Sequence, residues 1–363
     1  MISLKQFVLQ PMVEKAKSVV SEKLKASFSN ILFETKDGVL FVSGTDGIVS
    51  ISCSTALVDS DKNYIFLVDS KKVMDLVKTL PSDADIDIKI EEDSVGFYSG
   101  KSMWMLPMYK DVEEFPDMIY PGSVTDWKSE FEREPFLKGL NRVIYAVSRK
   151  SEEVGRIIQI KKGRAKAHEG VGKYHEADVG CSADISILAE TADHVLNLLR
   201  LSEAPDVRMT VFSNYFIMEV GDDLIKGGLP VKEFRDLGSA VEDVKQARRK
   251  LITNKSDLVD CIKRVSIMAD PRTNYVELHI SEKELTVKAE TSTGGVAKDT
   301  IEAEWNDVDC KLCVNCTLLQ ELISTIGAAN FCLTVTGDLG SNKSFIGVLE
   351  DSHCGFISQV ITN

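Results

Sequence analysis

The chain has 363 residues, 44% of them hydrophobic, with 43 basic and 56 acidic side chains and a formal net charge of −13. That length allows two or three domains with a core each; no apolar run of about 18 residues is present to cross a membrane, and the N-terminus lacks the order of a secretory signal. The acidic total argues against a conventional basic duplex-binding domain, and eight cysteines scattered over predicted helices and strands suit reduced, buried thiols in a soluble intracellular protein.

In chain order, one unit of about 60 residues recurs six times: an amphipathic helix, then strands of alternating polarity. Helices are predicted to begin near Lys5, Ser70, Pro135, Thr191, Ser256 and Thr317. The second shows the spacing in Val73, Leu76, Val77 and Leu80. Pro11 falls inside the first helical pattern and is expected to bend or delay it. Pro135 sits where a helix can begin, because its missing N–H would be unpaired there anyway. Alternating stretches at Ile86–Ile90, Val207–Val211 and Cys332–Thr336 read as strands with one buried face. Lys36-Asp37-Gly38 punctuates a hairpin. Since one such unit is a marginal core, the six are expected to pair into three domains, 1–122, 127–243 and 248–363, in an α+β fold with sheets packed on helices. Residues 111–130 and 237–250 read as the connections.

Charge is unevenly spread. The windows holding the first helix of each predicted domain, 3–25, 132–150 and 248–264, carry +3, +3 and +4, and the second helices, 69–80, 189–203 and 316–327, carry +1, −2 and −1. The helices hold +8 and everything else −21. Helices lining one surface would present a mildly basic face on an acidic body, suited to phosphates and not to base edges.

Chemistry is mostly absent. Gly170-Val171-Gly172-Lys173 lacks the first glycine and the Ser/Thr of a phosphate loop, and His168-Glu169 and His175-Glu176 lack the second histidine of a zinc-protease helix. Asp222-Asp223 and Glu91-Glu92-Asp93 read as solvated charge at turns. Cys310, Cys313 and Cys316 have metal-like spacing, but on a strand the middle residue faces away from the outer two and no fourth ligand lies nearby. The reading is no catalytic residue, no metal and no cofactor. A metal- or redox-active enzyme using these three cysteines is the competing view.

At this point the residues carry a resemblance. Asn30–Gly47, ending in Gly44-Thr45-Asp46-Gly47, Leu106-Pro107 with Phe115-Pro116, Val220-Gly221-Asp222 with Leu229 and Phe234, and Val314–Leu322 together resemble, in order and spacing, the bacterial DNA polymerase sliding clamps, the β subunit, over the whole chain. The resemblance implies three similar clamp domains per chain, closed head-to-tail with a second chain into a ring with helices inside and sheets outside. It implies a non-catalytic processivity factor that encircles duplex DNA without regard to sequence. Its partners would be the replicative polymerase, the clamp loader and a second copy of itself, in the cytoplasm and not at a membrane. A clamp-derived monomeric scaffold is the remaining alternative.

The site residues follow from the same likeness. Lys23, Lys25, Arg149, Lys150 and Arg272 are expected to face DNA. Met103, Trp104, Met105 and Leu106 on one edge and Ile267 and Met268 on the other are expected at the dimer seam. The partner-peptide pocket is assigned to Lys173, Tyr174, His175, Leu229, Val231, Val360 and Ile361. Two stretches depart from the family pattern: Ala167–His175 stands where many members have Ala-Thr-Asp-Gly-His-Arg-Leu, and Gln359–Asn363 replaces a Met-Pro-Met-Arg type of tail. The departures suit a clamp for a non-standard replisome, such as one encoded by a bacteriophage and working in the host cytoplasm.

Overall fold

The computed structural model describes residues 1–21, 25–57, 62–147, 153–170, 172–337, 344–350 and 353–358. The six predicted helices form α1 (Gln6–Lys17), α2 (Ser70–Thr79), α3 (Arg133–Val143), α4 (Ala189–Leu201), α6 (Lys255–Ser266) and α7 (Cys316–Ser324), each within two residues of its predicted start; a further short helix, α5 (Ser239–Lys245), precedes the last pair. Side-chain caps explain three of these starts. Asp69 accepts the Lys72 N–H, Asn254 accepts those of Ser256 and Asp257, and Asn315 accepts those of Thr317 and Leu318.

Two expectations are corrected. Pro11 does not delay α1, which already starts at Gln6. The carbonyl it leaves unpaired belongs to Phe7, four residues back, and both residues are exposed, so water can satisfy that oxygen. Residues 237–250 were expected to be connection only, yet they contain α5. Its Ala240, Val241 and Val244 are buried at the three- to four-residue spacing of one helix face.

The chain divides into two compact units, Met1–Leu137 with Gly180–Val231, and Lys138–Val179 with Lys232–Asn363. In the first unit antiparallel strands follow one another as Ile2–Lys5, Asp85–Ile90, Ser94–Ser99, Ser102–Tyr109, Ile65–Asp69, Asn30–Lys36, Val39–Thr45, Val49–Ala56, Asp223–Gly228, Tyr215–Val220, Asp206–Val211 and Ser129–Glu132. In the second they run Ile157–Lys161, Arg164–Glu169, Lys173–Asp178, His353–Ser358, Phe345–Glu350, Asn330–Thr336, Arg249–Asn254, Val296–Trp305, Glu284–Glu290, Tyr275–Ile280 and Cys310–Asn315. The predicted middle stretch 127–243 is shared between the units. Its strand Asp223–Gly228 pairs with Val49–Ala56 in the first, and its strand Lys173–Asp178 pairs with His353–Ser358 in the second.

Helix faces and sheet faces meet in each core. In the first unit α1 buries Leu9, Val13 and Ala16 and α2 buries Val73, Leu76 and Val77, each buried leucine or valine contributing about 1.5–3 kcal/mol. Phe33 stacks on Phe66 at 5.1 Å and meets Phe97 edge-on. The approach of α1 is close enough that a Cβ on Gly44 would sit 2.0 Å from the Ala16 carbonyl oxygen, which accounts for the glycine ahead of the Thr45-Asp46 turn. The turn is held by Asp46 Oδ1, which accepts the N–H groups of Ile48 and Val49. The Asp37-Gly38 hairpin has both residues at positive φ, as a two-residue turn requires. In the second unit Leu258, Cys261, Ile262 and Val265 of α6 and Leu319, Leu322 and Ile323 of α7 pack with Val276, Leu278, Val287, Leu333 and Ile346 in one cluster.

Candidate nucleic-acid and partner interfaces

The basic helices are less free than their charge count suggests. Lys5 pairs with Asp85 at 2.7 Å, Arg142 with Glu350 at 2.8 Å, Arg249 with Asp307 at 2.6 Å and Arg264 with Asp299 at 2.6 Å. Lys15 Nζ lies 2.6 Å from Asp223 Oδ2, with only 11% and 8% of the two side chains exposed. Asp223 therefore corrects the expectation of solvated charge. It sits in a strand opposite Cys53, and burial, followed by the neighbouring Asp223 carboxylate, pushes the Cys53 thiol well up. By contrast Lys71, Lys72 and Lys78 on α2 are exposed and form no ion pair among the described residues. Sequence counting passed over them because Asp69 and Asp75 cancel two of the three; yet the Asp69 carboxylate is spent on the helix cap.

Of the predicted DNA-facing residues, Lys25 is exposed with its Nζ 5.7 Å from the Phe28 ring centroid, and Arg272 is exposed beside Asp270, in the other unit. Lys23, Arg149 and Lys150 lie outside the described residues.

In each unit one strand inside the sheet is left open along part of one side among the described residues. Residues Ser102–Pro107 pair with Ser94–Ser99 on one side, whereas Ile65–Asp69 meets that strand only at Met108 and Tyr109. Met103 and Met105 are exposed there, Trp104 is half-buried and Leu106 is buried. In the second unit Val296–Glu302 pairs with Glu284–Glu290, whereas Arg249–Asn254 reaches that strand only at Ala303–Trp305. Ile267, just past α6, is 80% exposed, and half-buried Met268 reaches the start of this strand, where a Cβ on Gly295 would lie 2.5 Å from its Cε. Sequence reading named Ile267 and Met268 and did not single out Val296–Glu302. Nothing in a strand's own alternation says which of its sides lacks a neighbour.

The predicted pocket residues are split by strand alternation. Tyr174 faces one side of the sheet, stacked on Phe356 at 5.2 Å, and its hydroxyl donates to Glu176 Oε2 at 2.6 Å. Burial together with this bond pushes the Tyr174 hydroxyl up; Glu176, though buried, is held low by Tyr174, Arg164 and Lys245. Lys173 and His175 face the other side, where Lys173 Nζ meets Glu321 Oε2 of α7 at 2.9 Å. Leu229 is half-buried and Val231 is 95% exposed, both in the first unit. Val360 and Ile361 lie outside the described residues.

His175 brings a partner that sequence reading did not single out. Its Nδ1 lies 3.1 Å from His353 Nε2, with the rings stacked and both buried. Burial and then the facing His353 and Lys173 push His175 well below its ordinary value; burial and then Arg142, against the opposing pull of Glu350, push His353 down to about 4. Both groups fold neutral, so their stabilisation is present above the unfolded value near 6.5 and is lost as pH falls toward 4. The loss expected from His353 over that window is on the order of 3 kcal/mol. Urea melts at pH 7.5, 6 and 4.5 should show it, with a shallower acid slope in His353→Gln.

Cys310, Cys313 and Cys316 do not converge. The first two occupy one strand opposite Ile280 and Glu277, and Cys316, at the start of α7, donates its thiol to Asn274 Oδ1 at 2.9 Å. Among the described residues no group of three or more His, Cys, Asp or Glu side chains could hold a metal, and all eight cysteines are free.

Two family models match the chain, DNA polymerase III beta subunit, N-terminal domain, over residues 1–119 and C-terminal domain over residues 245–348. The chain belongs to the DNA polymerase III beta-subunit family. Among relatives in that family, the beta sliding clamp of Haemophilus influenzae is 25% identical over 353 residues, covering 91% of this chain and 90% of the relative. That of Escherichia coli K12 is 21% identical over 355 residues, covering 93% of each. The fold agrees. The DNA polymerase III subunit beta of Pseudomonas aeruginosa superposes with a TM-score of 0.87 at 17% identity, over 99% of this chain and 100% of that one, and the beta subunit of Thermotoga maritima also reaches 0.87 at 17%, over 100% and 99%. No helix among the described residues is long and apolar enough to cross a membrane.

Proposed function

We propose that the chain is a DNA sliding clamp, a non-catalytic processivity factor that encircles duplex DNA as a homodimeric ring and tethers the replicative polymerase after a clamp loader opens it. Each chain supplies three domains, 1–122, 127–243 and 248–363, and the ring works in the cytoplasm. The observation that carries the reading, beside family membership, is the pair of open strand sides. Ser-Met-Trp-Met-Leu-Pro at 102–107 is an uncharged apolar edge of the kind that soluble proteins otherwise protect. Two chains that join this edge to Val296–Glu302 of the other close both seams by one twofold operation. Ile267 and Met268 join the apolar contact at that seam.

Lys23, Lys25, Arg149, Lys150 and Arg272 face the duplex, and the acidic remainder of the surface repels it back into the channel. The peptide pocket draws on Lys173, Tyr174, His175, Leu229, Val231, Val360 and Ile361. The deciding measurement is solution mass together with retention on circular and linear DNA. A dimer held on nicked circles at moderate salt and lost from open linear duplex is expected. Direct affinity for linear duplex should fall about a hundredfold from 50 to 200 mM salt if roughly four phosphates are neutralised. Replacing the five cations by Glu should lower loading or retention about tenfold or more with the fold intact. A monomer at micromolar concentration, or a hundredfold preference for one duplex sequence, would refute the proposal.

A further inference from the structure

We infer that Gln6, Arg133 and Lys255 are one positioning clasp made three times, which ties the first helix of each repeat to the end of the second. The tie is read from geometry; its use on DNA rests on the clamp reading above. The three residues are the first of α1, α3 and α6. Each donates its backbone N–H, which has no acceptor within its own helix at that position, to the carbonyl just ahead of the strand that follows the second helix. Gln6 bonds Ala84 at 2.9 Å, Arg133 bonds Pro205 at 2.7 Å and Lys255 bonds Ala329 at 2.7 Å. Each side chain then reaches the end of that second helix. Gln6 Nε2 donates to the Val77 carbonyl of α2 at 2.7 Å, and Arg133 Nη1 donates to those of Leu199 and Ser202 at the end of α4, both at 2.7 Å. Lys255 Nζ donates to the carbonyl of Ile326, just past α7, at 2.5 Å. Val77 and Leu199 hold the same place, third from the last residue of their helices.

The second helices need this tie. A helix end leaves its last carbonyls unpaired, and a common remedy is a glycine in the left-handed conformation just beyond it. No residue of 80–84, 202–205 or 325–329 has positive φ, so α2, α4 and α7 lack that remedy. A donor from the neighbouring helix takes its place, and a cation there also meets the partial negative charge of the helix end. Water is a poor substitute, since Gln6 is 3% exposed and the Arg133 side chain 21%. The residue type changes from glutamine to arginine to lysine while the place in the fold and the acceptors at the second helix end are kept, which is why no sequence motif marks the clasp. Its consequence lies in the helices it holds. The first helices sit in the three most basic helix windows of the chain, so a clasp at their first residue fixes where their remaining cations stand.

The test uses the full-length protein and the variants Arg133→Met, which removes the donors, and Arg133→Gln, which keeps a donor without the charge, as the first repeat does. Hydrogen exchange read by mass spectrometry should rise at least tenfold at residues 199–205 in Arg133→Met and stay within twofold of wild type at 77–84 and 326–330. Arg133→Gln should return it to within about threefold of wild type. Unchanged exchange at 199–205, or an equal rise in all three repeats, would overturn the clasp; a glutamine variant as loose as the methionine one would overturn its being one device. Lys255→Met makes the same comparison at 324–330 in the other unit, and decides the matter if Arg133→Met does not fold. Retention on nicked circular DNA should fall at least threefold in Arg133→Met and recover in Arg133→Gln, which separates held geometry from lost charge. Full retention in Arg133→Met with its exchange raised would overturn the positioning role. Failure of wild type to be retained would fault the clamp reading alone and leave the exchange result standing.

Discussion

Lys15→Ala or Asp223→Ala, each made alone, is expected to destabilise the first unit by about 3–5 kcal/mol, because either change leaves the other charge buried without its counter-ion. The two side chains are almost fully covered and lie 2.6 Å apart, so solvent cannot make up the loss. The double change Lys15→Met with Asp223→Leu should recover most of the stability, since an apolar pair of similar volume needs no desolvation. Urea melts of wild type, Lys15→Met, Asp223→Leu and the double change give the coupling energy directly. Single variants within about 0.5 kcal/mol of wild type would show that the pair is hydrated in solution. The same pair sits where α1 meets the junction of Val49–Ala56 with Asp223–Gly228, so local exchange at that junction should rise in the single variants.

Met103→Arg combined with Ile267→Arg is expected to weaken chain–chain association by a hundredfold or more, roughly 3 kcal/mol, with little change in the stability of the separate chain. Both side chains are exposed, at 58% and 80%, so the fold does not depend on them. In a closed seam each arginine would be pressed against apolar surface without a partner, twice per dimer. Sedimentation velocity reads the shift to monomer, and retention on circular DNA should disappear with it. A variant that stays dimeric at micromolar concentration would move the seam away from these residues. Lys71→Glu with Lys72→Glu on α2 serves as a control for charge: it should leave the mass unchanged.

The helices were legible because their apolar residues repeat at three- and four-residue spacing and their starts carry Asp69, Asn254 and Asn315, all local signals. The Asp37-Gly38 hairpin was legible for the same reason, a backbone demand met by residue type. Resemblance in order and spacing reached the family, and with it the expected DNA-facing and seam residues. Pro11 does not delay α1, because the cost of an interior proline depends on whether the carbonyl it orphans faces water, which a linear pattern does not state. Asp223 misled because two adjacent acids look like a turn until a lysine 208 positions away is brought to one of them.

Local sequence determined where the elements lie, their amphipathic faces and the acidic balance, since each depends on neighbours within a turn or a hairpin. Tertiary structure alone decided which charges are spent on each other, which strand sides stay open, that Tyr174 and His175 face opposite ways into different packing, and that α5 packs on Tyr174 and Phe356. These depend on strand order and on contacts between residues far apart in the chain, and the energy of a buried pair or an uncovered edge is set by what surrounds it in space.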